Sequence, residues 1–339
     1  EMKYGKSIPT WSGDFTPYWE DGAYSTAAEE GKVRVLSARL SNLIDAAKIL
    51  GKTIDPHLLY RAKRSIVMWH EHTWGSWNSI SEPDAPFTVE QWKYKKAFAD
   101  SAGWYVDAIS RSIQPSKQKS TVGEEKQITL DECPNDIRYI GTWTQYDLDP
   151  SQDVVVEATT MPRFMRDNGT FHCRPSIYYP PARHKRSLHI TLPFNIPNAT
   201  VRIGISDTCI TPEAGQIPGS NKDFFCAQRW IDVSNDSMGV TIVCPQGAIW
   251  EVGEMVDERK TVPGRGTNAE LYKAWKTEAH SSSTIYLYAL NNYWHTNFKA
   301  DQEGPISFDI YLKMHGPFKL EEARRFGLEM TRPLITWWK

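Results

Sequence analysis

No stretch of this chain approaches the ~20 consecutive apolar residues that a membrane-crossing helix needs. Its first residues, EMKYGKSIPTWSGDF, lack the apolar core of a secretory signal. An excess of one charge is missing too. Thirty-nine basic and 41 acidic side chains give a formal net charge of −2, with Lys and Arg dispersed, so no footprint for nucleic acid or an anionic membrane exists. A neutral ligand or another protein surface suits this balance. Cysteine is sparse: Cys133, Cys173, Cys209, Cys226 and Cys244, all in the second half and without CxxC spacing. An odd, low count argues for buried thiols over a disulfide scaffold, with one or two bridges left open. There is no Gly-rich phosphate loop, no G-x-S-x-G and no Cys beside a partner His, so serine or cysteine nucleophile chemistry has no support. Sequons at Asn168, Asn198 and Asn235 are triplets common by chance and do not fix the compartment. The expectation is a soluble protein that begins part-way through a longer one, extracytoplasmic or secreted in preference.

Aromatic residues are abundant. Fourteen Trp and fifteen Tyr concentrate in stretches such as TPYW, MWHEHTWGSW, AGWYV, NNYWHTNF and ITWWK. Most should pack cores, while those in polar surroundings suit stacking on sugar rings.

The chain's 339 residues exceed the length at which single cores usually stop growing. Between residues 26 and 50, Val33, Leu36, Leu40, Leu43, Ile44, Ala47 and Leu50 recur at three- and four-residue steps, predicting an amphipathic helix that Gly51 stops. Asp55 and Pro56 open a second helix, with Leu59, Ala62, Ile66 and Trp69 on one face and Gly75 at its expected end. Thr88 is the expected start of a third, running to about Ile113. Residues 114–127 are polar with Pro, Ser and Gly and fit a linker. Beyond them VVVEATT, SLHITLPF, ATVRIGIS, GVTIVCP, STIYLYAL and ISFDIYLKM are short β-type runs between turn residues. LEEARRFGLEM fits a short helix or an edge segment. The fold class expected is α+β, a three-helix bundle followed by an antiparallel β-sandwich.

Three stretches carry chemistry. In MWHEHTWGS, His70 and His72 are two residues apart, roughly 200° around a continuous helix, and lack the four-residue step of a zincin. One of them can be a single metal ligand completed from elsewhere, or a helix-end histidine held by the last carbonyls. TWSGDFTPYWEDGAYST sets Asp14, Glu20 and Asp21 among aromatics, the surroundings of a glycosidase acid/base or of ordinary turns. ALNNYWHTNFKADQEG gathers amides and hydroxyls around Tyr293, Trp294 and Phe298, suited to sugar hydroxyls or to a domain interface.

Taken in order, SGDFTPYWEDGAYSTAAEEGKVRVLSARL, WHEHTWGS and NNYWHTNFKADQEGPISFDIYL resemble the later portion of family 38 glycoside hydrolases, the retaining α-mannosidases, in the branch with an E-H-T-W-G motif. The resemblance implies residues 1–25 as a remnant of the last catalytic-barrel segment, 26–113 as the helical middle domain and 128–339 as a sandwich of the galactose-mutarotase-like kind. It implies a barrel, in cis or on another chain, supplying the His-x-Asp zinc pair and the nucleophile, and a zinc ion bound only when that barrel is present. The family's acid/base aspartate falls on Asp14, with Asp21 second. Its remaining zinc ligand falls on His70 by spacing to Gly75 or on His72 by the E-H-T-W-G signature, with His72 preferred. Trp19, Trp74, Asn292, Trp294 and Asn297 are the implied substrate-binding residues, for a mannoside-like carbohydrate. The chain by itself is expected to be inactive. The alternative is a non-catalytic carbohydrate-binding or interaction module.

Overall fold

The computed structural model describes residues 5–7, 20–71, 75–114, 143–147, 163–165, 169–181, 183, 186–255, 276–292, 297–332 and 335, with the backbone alone for 6, 20, 21, 143–147, 163–165 and 186. A 3-10 turn at Glu20–Thr26 leads into α1, Ala27–Ile49. Val33, Leu36, Leu40, Leu43 and Ala47 form its buried stripe, as the periodicity predicts. The helix closes where expected. Gly51 takes φ +62°, and the amides of Gly51 and Lys52 donate to the carbonyls of Lys48 and Ala47 at 3.1 and 2.9 Å.

Helix α2, Pro56–His70, is capped by Asp55, whose carboxylate accepts from the amides of His57 at 2.7 Å and Leu58 at 3.4 Å. It ends at His70, five residues before the glycine expected to stop it. Glu71 turns extended, with φ −72° and ψ 118°. The Lys95 ammonium donates to the carbonyls of Met68 at 2.7 Å and Glu71 at 2.5 Å. A cation at a helix C-terminus satisfies orphan carbonyls and opposes the dipole. That termination is tertiary, because Lys95 belongs to α3, Pro86–Ile113. Helix α3 starts two residues before Thr88, with Pro86 at its first position and Ala85 as its cap residue. The Thr88 hydroxyl therefore caps nothing.

Fourteen strands follow among the described residues: β1 Trp143–Asp147, β2 Arg163–Met165, β3 Thr170–Cys173, β4 Ser176–Tyr179, β5 Arg186–Pro193, β6 Thr200–Ile205, β7 Thr208–Ile210, β8 Phe225–Cys226, β9 Ile231–Ser234, β10 Gly239–Val243, β11 Ile249–Val252, β12 Thr284–Asn291, β13 Gly304–Ser307 and β14 Ile310–His315. They pair antiparallel into a sheet of order β1-β5-β12-β11-β8, another of order β2-β3-β14-β10-β9-β6-β7, and the separate pair β13-β4. Leu188, Ile190, Ile285 and Leu287 of the first sheet share one core with Val240, Ile242 and Leu312 of the second. Trp69, Val106 and Ile109 of the helices belong to that same core. Each such fully buried side chain contributes about 1.5–3 kcal/mol, so helices and sheets stabilise one another. Helix α4, Leu320–Thr331, covers the outer face of the second sheet, setting Ala323, Phe326 and Met330 against Trp230 and Val243.

The α+β class and the antiparallel sheets are as the sequence predicts, with one difference. ISFDIYLKM makes two strands, β13 and β14, instead of one. At the break the Phe308 amide donates to the Pro175 carbonyl at 3.1 Å and the Asp309 amide to Gln246 Oε1 at 3.0 Å, which takes those donors out of the ladder. VVVEATT, the 114–127 linker and Cys133 lie outside the described residues. Cys173, Cys209, Cys226 and Cys244 are free thiols. No helix among the described residues is long and apolar enough to cross a membrane.

Candidate functional site

Described residues of the three stretches singled out in the sequence meet, and small residues make the meeting tight. The Gly75 amide donates to the Asn297 carbonyl at 2.9 Å, and the Asn297 amide donates back to the Ser76 carbonyl at 3.1 Å. A Cβ on Gly75 would stand 2.9 Å from the Phe298 carbonyl carbon, and one on Gly22 would stand 2.7 Å from the Phe298 ring. Both lie inside contact distance, so neither position accepts a side chain without movement. Asn297 takes φ +62°, a left-handed conformation that Asn tolerates better than most residues, and this turns the chain back toward Gly75.

Behind this joint the Gln302 side chain ties the helical part to the first sheet. Its Oε1 accepts from the Ala27 amide at 3.1 Å, and its Nε2 donates to the carbonyls of Tyr24 at 2.8 Å and Asn291 at 2.5 Å. The Tyr24 hydroxyl, fully buried, accepts from the Ala248 amide at 2.6 Å and donates to the Gln246 carbonyl at 3.3 Å. Burial pushes that phenol far above its ordinary range, so it is a neutral strut.

His70, the last residue of α2, faces a cleft of about 420 Å³ between the bundle, the sandwich and the end of α4. Glu30, Arg34, Gln228, Arg229 and Arg332 also line it. Its side chain is 37% exposed, and Nδ1 lies 3.4 Å from Glu30 Oε2. The same carboxylate oxygen accepts from Trp69 Nε1 at 2.9 Å. Burial alone would raise the Glu30 carboxyl, but the hydrogen bond and charge of His70, with Arg34 and Trp69, outweigh it and hold the group below the usual carboxylate range. Arg34 is anchored by the carbonyls of Pro245 at 3.3 Å and Gln228 at 3.2 Å. The result is an ionised carboxylate fixing one nitrogen of an accessible imidazole.

The apolar stripe read from the sequence in this helix includes neither Glu30 nor Arg34. Glu30 is buried because the neighbouring Gly31 lets α1 approach the sandwich, where an added Cβ would sit 2.9 Å from Gln246 Cβ. Only the pairing of Gly31 with Glu30 in AAEEGK hinted at it. Of the other candidates, Asp14, Trp19, His72, Trp74 and Trp294 lie outside the described residues. Asp21 is described by backbone alone, within the 3-10 turn beside Gly22. Asn292 is buried just after β12, and Asn297 contributes backbone bonds to the joint.

A second His–Glu pair lies inside the sandwich. With His189 Nδ1–H donated to Glu251 at 2.6 Å, Nε2 accepts from the Ser187 hydroxyl at 2.9 Å. All three side chains are fully buried. The order of groups is that of a nucleophile, base and orienting carboxylate, but no substrate reaches it in this conformation.

As a metal centre, His70 fits a single ligand: it lines the cleft, and its Nδ1 lies beside a carboxylate, the usual outer partner of a metal-bound imidazole. Among the described residues no group of three or more His, Cys, Asp or Glu could hold a metal ion. Comparison with known proteins gives a partial picture. No family model and no curated protein matches the chain. Among solved structures it is similar to an α-mannosidase from Enterococcus faecalis V583, at 10% identity and TM-score 0.44, covering 92% of this chain and 58% of that one. It is also similar to a glycosyl hydrolase family 38 protein from Enterococcus faecalis, at 10% identity and TM-score 0.46, covering 98% and 61%. The chain thus spans about three-fifths of each of these structures.

Proposed function

We propose that this chain is the helical and sandwich part of a glycoside hydrolase of the α-mannosidase type, lending residues to an active site that a barrel completes. The observation that carries this is that the N-terminal turn, the end of the HEHTWGS stretch and the end of the NNYWHTNF stretch are held together by the Gly75–Asn297 and Gly22–Phe298 contacts. These are the stretches on which the family resemblance rests. On this reading His70 or His72 is the one imidazole given to zinc, and Asp14, with Asp21 as the alternative, is the acid/base. Zinc, when bound, would hold and polarise sugar hydroxyls. The chain's own part is to orient the imidazole through Glu30, to present the cleft wall with Arg34, and to protonate the leaving oxygen from the aspartate.

One imidazole cannot close a tetrahedral site, so the chain alone should neither retain zinc nor turn over an aryl α-mannoside. The test is zinc content and aryl α-mannoside hydrolysis, for the chain alone and joined to its barrel, with Asp14→Asn, His70→Ala and His72→Ala compared. Activity only in the joined form, reduced at least about a hundredfold by Asp14→Asn and by one histidine variant, is expected. Chelator-sensitive turnover by the chain alone would overturn the proposal. The alternative, a non-catalytic carbohydrate-binding module, predicts sugar binding that survives all three substitutions.

A further inference from the structure

Where β14 runs into α4, the second sheet carries a charge cluster that the cleft does not use. Asp232 of β9 has no exposed surface, and its carboxylate accepts from the hydroxyls of Ser234 at 2.5 Å and Thr241 at 2.8 Å. His315, the last residue of β14, brings Nε2 to 2.7 Å from the same carboxylate and Nδ1 to 2.8 Å from the Gly316 carbonyl. A carbonyl and an ionised carboxylate only accept. Both ring nitrogens therefore carry hydrogen, and the imidazole that bridges the two acceptors is a cation. Its side chain is 14% exposed, so water is a poor substitute for either partner.

The charges around it are of both signs. Arg202 of β6 stands 3.8 Å from Asp232 and donates to the Ser234 hydroxyl at 2.9 Å. On β14 itself Lys313 lies 5.7 Å from the centre of the Phe326 ring of α4. At the start of α4, Glu322 pairs with Lys319 at 2.9 Å. Cys209 of β7 interacts with Arg202 and Asp232, and burial pushes its thiol up. Strand β10 sets Gly239 opposite His315 and adds no charge there. Burial alone would push the His315 imidazole down, but the hydrogen bond and charge of Asp232, the Gly316 carbonyl and the charge of Glu322 outweigh it and hold the group above the usual histidine range.

Loss of the proton has one favoured outcome. Giving up Nε2–H would set a lone pair against a buried carboxylate, so Nδ1–H is the one lost and the Gly316 carbonyl loses its donor. Gly316 opens the connection to α4. A Cβ added there would meet nothing closer than 3.8 Å, which leaves the backbone room to shift. Beyond it the Phe318 ring lies 4.4 Å from the Arg202 guanidinium and 6.1 Å from the Trp230 ring, and Trp230 belongs to the cluster that seats α4. The far end of α4 supplies Thr331 to the wall of the His70 cleft, with Arg332 just after it.

We propose that His315, when protonated, is a latch that holds the connection into α4 on the second sheet, and that rising pH releases it. The latch needs no turnover at the cleft. Its stabilisation is fully present below the ordinary histidine value of about 6.5 and is lost as pH rises through the higher folded value.

The test is amide hydrogen exchange of the whole chain, read by mass spectrometry over residues 320–331, for the unmodified protein and for His315→Gln at about pH 6 and about pH 9. Comparing the two proteins at one pH cancels the intrinsic pH dependence of exchange. At the lower pH the variant is expected to exchange at least about tenfold faster, and at the higher pH within about twofold of the unmodified protein. Residues 284–291 of β12 report on the rest of the fold and should exchange alike in both. Equal exchange at the lower pH, a difference of the same size at both, or a matching acceleration in β12 would each overturn the latch. If the variant does not fold, NMR titration of the His315 ring in the unmodified protein decides: a midpoint above about 6.5 is expected, and one below it overturns the proposal.

Discussion

Two of the histidine–glutamate pairs among the described residues place the same chemistry in opposite settings. His189 and Glu251 meet at 2.6 Å inside the sandwich, both with no exposed surface, and a serine hydroxyl satisfies the remaining ring nitrogen. His70 and Glu30 stand 3.4 Å apart at a helix end, with the imidazole 37% exposed over a cleft. The pair with the better geometry is the one no ligand can reach. The difference teaches that residue types do not assign a role. Access does, and of these two pairs only that of His70 has it.

Breaking the buried pair should produce the largest effect. His189→Ala or Glu251→Ala removes one partner of a fully buried pair, which costs about 3–5 kcal/mol. Denaturant unfolding measures this, and a loss below about 1 kcal/mol would erase the contrast.

One carboxyl in each region shifts in the opposite direction to the other. In the sandwich, burial pushes the Asp223 carboxyl up to about 6, against the offsetting charge and backbone amide of Lys276. The folded chain then binds more protons than the unfolded one between about pH 4 and 6, so this group makes stability fall as pH rises through that window. Asp223→Asn should therefore stabilise the protein at pH 7 by up to about 3 kcal/mol, with no gain below about pH 4. An unchanged pH profile would refute it. In the bundle Glu30 is shifted downward, so its contribution is present above about pH 4.3 and lost as pH falls through the folded value. Glu30→Gln should cost about 1 kcal/mol near neutrality and progressively less in acid, as unfolding curves at several pH values will show.

Between these in size lies the joint itself. Gly75→Ala drives a methyl against the Phe298 backbone, which cannot rotate away, and should cost about 1–3 kcal/mol. The same substitution at Gly51, where nothing lies within 4 Å of the added carbon, strains only a left-handed φ. A smaller loss at Gly75 than at Gly51 would mean that the two stretches do not depend on each other.

What the sequence made legible is local. Asp55 as a cap, Gly51 as a stop and the apolar stripe of α1 are decided by neighbours within a turn or two, and the structure has them. What escaped depends on distant partners. Helix α2 ends at His70 because of Lys95, from another helix. Thr88 caps nothing because Pro86 starts α3 earlier. His189 and Glu251 come together across β12, an adjacency that strand order creates and spacing cannot reveal. For the candidate site, the sequence named the stretches that converge and missed Glu30, which became buried only through the close approach at Gly31.

The most direct measurement is the unfolding free energy of His70→Ala beside that of His189→Ala in the same chain. If the exposed pair serves the cleft and the buried pair serves the fold, His70→Ala costs no more than about 1 kcal/mol and His189→Ala at least about 3. Equal costs would contradict that division.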